Sequence, residues 1–289
     1  SAIALSLGCG LAYAASDYFR KAATSHCATT VVLLYFMGGQ LPLLAAWLVY
    51  SGDTRLTASY WLPGAIDIVL GLGANALFIA AVRRSPLSLM VPLLALVPVL
   101  TAAAGAVGLR EMLSFDQLAG TVLIVTGLLV LYNPPGYGLN LAATWRAFRA
   151  EPGVPAMLGT VTCWSLTPVF DKMCLQSASL PMHALIQVAV ICALAGIWVV
   201  ARHGTAGLVP PRNAWGPLVG GAVSAAAGYS LQLAAYQATL VAIAEGLKRV
   251  MGILCALVVG RVMFHEPINL AKAAGIAILA VGVPLILMG

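Results

Sequence analysis

Apolar runs of about twenty residues recur ten times along this chain, each closed off by glycine, proline or a charged turn, and that recurrence admits one environment. An α-helix rises about 1.5 Å per residue, so about 20 residues cross the roughly 30 Å hydrocarbon core of a bilayer. Spans are expected near residues 2–19, 29–50, 60–82, 86–109, 114–133, 153–174, 180–201, 214–238, 242–264 and 269–288. The opening SAIALSLGCGLAYAAS has no basic start and runs on to Asp17, so it is read as the first span and not as a leader. Only 8% of the residues are charged, against about 25% in soluble domains, and no hydrophilic stretch is long enough to fold alone. The expected fold class is an all-α integral membrane protein with ten transmembrane helices.

The longest polar connection, NPPGYGLNLAATWRAFRAEPG (133–153), falls near the middle, and the chain repeats itself across it. REMLSFDQLAGTVLIVTG (110–127) and HEPINLAKAAGIAILAVG (265–282) place Glu111, Gly120 and Gly127 on Glu266, Gly275 and Gly282 at one constant offset, which also places Gly73 on Gly228. Near the start of each half, YAASDYFRK (13–21) aligns with WSLTPVFDK (164–172), matching Tyr13 to Trp164, Phe19 to Phe170 and Lys21 to Lys172. The expected organisation is a five-helix repeat over 1–133, a linker over 134–152 and a second five-helix repeat over 153–289. Five is odd, so the second repeat must enter the membrane inverted relative to the first. Inverted repeats around a midplane site are the architecture of many alternating-access transporters.

The net charge of +6 rests on Lys and Arg that lie mostly in short loops, where they set topology and do not imply nucleic acid. Their excess on the side of the odd-to-even connections, at Arg20, Lys21, Arg83, Arg84 and six more, would place both termini outside. The six cysteines form no C-x-x-C and no metal-ligand spacing, so they are expected to be small buried hydrophobes, with no metal or cofactor.

Charges inside the spans need a reason, since an ionised side chain in hydrocarbon costs about 2.5–3.5 kcal/mol even on the milder insertion scales. In AIAEGLKRVMGILCALVVG (242–260), Glu245 lies one helical turn from Lys248 and Arg249, so its carboxylate can neutralise one cation and leave the other over. Asp17 precedes Arg20 and Lys21 at the same spacings, where an ion pair near a helix end with the cations snorkelling to the headgroups is an equal reading. Lys248 and Glu245 are candidates to bind an anionic group or carry a proton. Asp17, Lys21, Asp67 and Arg249 are candidates for charge balance or coupling, with a substrate ammonium as a second partner for Asp67. Asp171 and Lys172 are adjacent and point about 100° apart, so they are not expected to pair. The four histidines, His26, His183, His203 and His265, fall at loops or span ends. Pro92, Pro98 and Pro168 interrupt spans without a proline at the matching position of the other half, and are candidate hinges. Tyr229, Gln232 and Tyr236 share one face of the eighth span, which is expected to look inward.

The ordered combination of these motifs resembles the drug/metabolite transporter superfamily, in its EamA branch. The features that carry the resemblance are ten spans in two five-helix repeats, the glutamate before the last helix of each half with its spaced glycines, YAASDYFRK and WSLTPVFDK, and EGLKRVMGILCALVVG. It covers almost the whole chain. It implies a secondary transporter whose central cavity is framed by the third, fourth, eighth and ninth spans and flanked by the first and sixth. Trp164, Tyr13, Phe78, Gln232, Tyr236 and Lys248 would then touch substrate. The first span departs from the pattern with Tyr13 where the family more often has tryptophan, and the pair Lys248 and Arg249 has no counterpart in the first half. The resemblance also implies cytoplasmic termini, opposite to the charge count, and a bacterial inner (plasma) membrane.

The function expected is that of a secondary active transporter, proton-coupled or exchanging, for a small polar or zwitterionic metabolite such as an amino acid. The alternative is a flippase for a lipid or lipid-linked headgroup. An enzyme is not expected, since H-E-x-x-H, G-x-S-x-G and a P-loop are all missing. The expected partners are a small-molecule substrate and the lipid bilayer, with the chain as monomer or homodimer.

Overall fold

The computed structural model describes residues 2–108, 114–132, 146, 149–263 and 270–288. The helices of the first half are α1 (Ala2–Thr24), α2 (Thr29–Gly38), α3 (Leu41–Ser51), α4 (Trp61–Arg84), α5 (Leu87–Leu93), α6 (Leu96–Gly108) and α7 (Phe115–Tyr132). Those of the second are α8 (Val154–Ser177), α9 (Leu180–His203), α10 (Trp215–Ala238), α11 (Val241–Met263) and α12 (Leu270–Met288). Every expected span has its helix. By length and composition alone, five helical stretches can each cross a membrane: Ala2–Thr24, Thr29–Ser51, Ala58–Arg84, Leu180–His203 and Arg212–Ala238. Glu111, Glu266, His265 and most of the 134–152 linker lie outside the described residues.

Two spans are broken where one helix was expected. Between α2 and α3, Pro42 has no N–H to return to Gly38. The Gln40 side-chain amide bonds back to the Phe36 carbonyl (2.7 Å), satisfying an acceptor the helix has released. Between α5 and α6, Pro98 cannot donate to the carbonyl of Leu94, which accepts from the Val97 N–H at 3.0 Å instead. The break falls between Pro92 and Pro98, two of the proposed hinge positions.

Helix packing follows an exchange of the two halves. Helix α1, first of its half, lies along α10 and α11, the third and fourth spans of the other half; α8 lies along α4 and α6 in the same relation. The second spans meet each other as α2 on α9, and the last as α7 on α12. The aligned glycines sit at these crossings. Gly228 faces the Tyr13 ring of α1, and Gly73 faces Cys163, beside Trp164, on α8. At the α7–α12 crossing a Cβ on Gly127 would come within 3.0 Å of the Gly275 carbonyl, so α7 needs the small residue there for close approach.

At one end of the bundle, segments 53–57 and 177–179 are stitched together. Leu56 bridges Ala178, the Thr57 N–H donates to Ser177 O (2.9 Å) and the Ser179 N–H to Arg55 O (2.9 Å). This join holds Tyr60 fully buried against α9. Toward the other end Lys21 donates to the carbonyls of Val82 and Ser85, where α4 finishes. A cation there complements the helix dipole.

Gly221 tests this packing. A Cβ at that position would lie 2.0 Å from the buried Phe36 ring, whereas Gly216, on the same helix α10, has open space. Gly221→Ala is expected to lose about 1–3 kcal/mol through overpacking and Gly216→Ala to lose none, measured by thermal unfolding in detergent.

Candidate functional site

Seven helices, α1, α2, α4, α8, α9, α10 and α11, surround a cavity of about 110 Å³. Of the residues singled out in the sequence, Tyr13, Trp164, Gln232, Tyr236, Glu245 and Lys248 line it, and so do Asp17, Asp67, Arg249 and Pro168. Phe78 does not. It is fully buried behind the wall, packed on Trp164 (ring centroids 5.2 Å apart) and beneath the Arg20 guanidinium (5.3 Å). Lys21 is likewise away from the cavity, on the end of α4.

Glu245 is the centre of the best-satisfied charge group. Its Oε1 accepts from the Tyr236 hydroxyl (2.5 Å) and from Lys248 Nζ, and its Oε2 from Arg249 (3.3 Å). Lys248 also donates to Gln232 Oε1 at 2.8 Å. The cation left over by charge counting is shared out over aromatic faces. Lys248 Nζ lies 5.4 Å from the Tyr13 ring centroid, and the Arg249 guanidinium 5.6 Å from that of Trp164. Tyr13 and Trp164 are matched residues of the two repeats, so the pseudo-equivalent aromatics take one cation each.

Arg20 departs from the snorkelling reading. It is buried at 2% exposure, stacked between the rings of Phe36 and Phe78, with Nη1 3.7 Å from Asp17 and Nη2 donating to Asn75 Oδ1 at 3.1 Å. The phenyl faces can stack on a guanidinium because it is planar and weakly hydrated, although Arg20 Nε and Nη1 are left without a hydrogen-bond partner. Pro168, inside α8, cannot donate to the Trp164 carbonyl and so leaves that acceptor without its helical donor.

A second group was missed in the sequence. His183, fully buried at the start of α9, has Nε2 2.8 Å from Asp171 Oδ1 of α8 and 3.9 Å from Asp67 Oδ2 of α4, while its Nδ1 meets the Tyr60 hydroxyl at 3.0 Å. Tyr229 donates to the same Asp171 oxygen at 3.3 Å. The three titratable side chains have atoms all within 4.8 Å of one another. The available signal was His183 itself, the fourth residue of an apolar span, which was counted as a span end. Helix α10 joins the two groups. Tyr229 touches Asp171, Gln232 touches Lys248 and Tyr236 touches Glu245, at i, i+3 and i+7 on one face that rises about 10 Å.

Helices long and apolar enough to cross a bilayer, packed as two interchangeable halves around a charge-lined cavity, define a multi-pass integral membrane protein. The sequence profile of the EamA-like transporter family matches residues 1–133 and 151–288. The chain belongs to that family, within the drug/metabolite transporter superfamily, which points to a membrane transporter of small molecules. No curated protein is significantly similar to it. A crystal structure of a protein 16% identical superposes on it with a TM-score of 0.67, covering 99% of this chain and 96% of the other, and that likeness supports the fold.

The repeat offers a direct test of what the charges are for. The offset that aligns the glycines places Glu245, Lys248 and Arg249 on Met90, Leu93 and Leu94, which are buried apolar core residues. Glu245→Gln strands two buried cations and is expected to cost about 3–5 kcal/mol. The triple change Glu245→Met, Lys248→Leu, Arg249→Leu, which copies the first half, is expected to recover most of that loss, since replacing a buried ion group by apolar residues of similar volume is often neutral or stabilising. Thermal unfolding of the two variants in detergent gives the comparison.

Proposed function

We propose that this protein is a secondary active transporter working by alternating access, which carries a small zwitterionic metabolite, an amino acid or a molecule of like charge pattern. The observation that carries this reading is the polarity of the cavity along α10. Lys248 and Arg249 face it beside Gln232 and Tyr236, and Asp67 and Asp171 face it beside Tyr229. A substrate carboxylate would take the lysine and arginine and its ammonium the aspartates, with Trp164 and Tyr13 covering the remainder. In this reading the five-helix repeats 1–133 and 153–289, joined by 134–152, are inverted in the membrane. They bend at the α5–α6 break near Pro92 and Pro98 and at Pro168. Transport is coupled to protons or to exchange.

The test is thermal unfolding of purified protein in detergent against a panel of amino acids, organic cations, sugar phosphates and lipids. A ligand present at about 100 times its Kd and bound only by the folded state adds about 2.7 kcal/mol. Stabilisation by amino acids that Lys248→Ala abolishes is the expected outcome. Stabilisation by lipids alone would replace this reading with the flippase one.

A further inference from the structure

We infer that Asp67, Asp171 and His183 together form a proton-binding site, and that its proton leaves when the ammonium of a substrate enters; the second clause rests on the zwitterion reading above.

The acids of the cavity differ in their company. Glu245 is held by Lys248, Arg249 and Tyr236 at once, so protonating it would forfeit three charge-assisted hydrogen bonds. Asp17 has Arg20. Asp67 and Asp171, by contrast, have His183 as their ion-pair partner, and Asp67 reaches it only at 3.9 Å, beyond hydrogen-bond length, although it is just 4% exposed and faces the cavity. Two carboxylates this close in a buried site repel one another strongly, and a proton shared among them and the imidazole removes that repulsion.

Among the described residues, the titratable groups in contact with this set include Tyr60 and Asp67 from the α4 side, Asp171 and Cys174 from α8, Tyr229 from α10 and Tyr13 from α1, and no lysine or arginine is among these contacts. Lys172 follows Asp171 but points about 100° away around the helix. The imidazole is placed to change protonation without moving. Nε2 meets a carboxylate and Nδ1 meets a hydroxyl, and a hydroxyl can either donate or accept, so the neutral and doubly protonated rings make the same two contacts.

The exchange balances in charge. The empty site holds one proton among its two carboxyls and imidazole. An arriving ammonium brings one positive charge, the O–H or N–H bond of the site breaks, and that proton passes through the cavity to water. No electrons move and the total charge is unchanged. The proton-carrying role that the sequence suggested for Glu245 thus passes to a site one stretch of α10 away.

Infrared difference spectra of the detergent-purified protein between about pH 5 and about pH 8 test the site without any ligand. The wild type is expected to lose a protonated-carboxyl C=O band as pH rises. Asp67→Asn or Asp171→Asn should abolish that band, His183→Gln should shift its midpoint and the triple change Glu245→Met, Lys248→Leu, Arg249→Leu, which removes the other carboxyl without stranding its cations, should leave it in place. A band removed by the triple change, or no band at all, overturns the inference. If the asparagine variants do not fold, an unshifted midpoint in His183→Gln overturns it equally. Stabilisation by micromolar ZnCl2 or MnCl2 that Asp67→Asn abolishes would assign the site to a metal ion and overturn it as well. The exchange is read with a pH dye in weakly buffered solution as an amino acid from the panel binds. One proton released per bound amino acid, and none from Asp67→Asn, is expected; binding without release overturns the exchange. If no amino acid binds, the transport reading fails, while the infrared result still decides the proton site.

Discussion

A carboxylate carried into the hydrocarbon region needs a partner on each oxygen, and Glu245 obtains its partners from two helices. Lys248 and Arg249 come from its own helix α11 and the Tyr236 hydroxyl from α10. The consequences spread outward from there. Lys248 reaches Gln232, which fixes the register of α10 against α11, and the two cations then face Tyr13 and Trp164, which ties α1 and α8 to the same point. Four helices from both halves meet around one carboxylate. Desolvation makes such a group expensive to assemble, so its presence needs explaining by more than stability.

The interchange of halves shows what the bundle needs for packing alone. Where the second half has Glu245, Lys248 and Arg249, the first has Met90, Leu93 and Leu94, all buried and packed with Phe78, Val97 and Met157. The same backbone position therefore closes with methylene groups at no electrostatic penalty. Charge at this position in only one half is what a binding function, and not a folding requirement, would retain.

Much of this was legible in the sequence, for reasons that can be named. Bilayer thickness imposes span length, so the helices were found to within a few residues apart from the two breaks, and the constant offset of the aligned glycines exposed the repeat. Glu245, Lys248 and Arg249 were grouped correctly because they share one helix at i, i+3 and i+4 spacing, and Tyr229, Gln232 and Tyr236 because they share one face. Asp67, Asp171 and His183 come from three helices spread over more than a hundred residues, and no local period links them. Arg20 was half misread for a related reason. A cation near a helix end ordinarily reaches for headgroups, and the phenyl rings that hold this one belong to α2 and α4. The break at Gly39–Gln40 was hidden because apolar residues continue on both sides of it.

The two charge groups also differ in how they arise from the repeat. In the alignment of YAASDYFRK with WSLTPVFDK, Arg20 falls on Asp171, and by the glycine offset Asp67 falls on Ala222 and Lys248 on Leu93. At these cavity positions the matched residues thus carry opposite charge or none, while matched aromatics Tyr13 and Trp164 are kept. A cavity with identical halves would offer a zwitterion two equivalent orientations. Divergence at Arg20 and Asp171, together with acids added on α4 and cations on α11, leaves one arrangement in which each end of such a molecule meets its opposite charge. In the transport mechanism proposed above, the backbone repeat would supply the two halves that rock against each other, and the broken charge symmetry would set the direction in which a zwitterion lies.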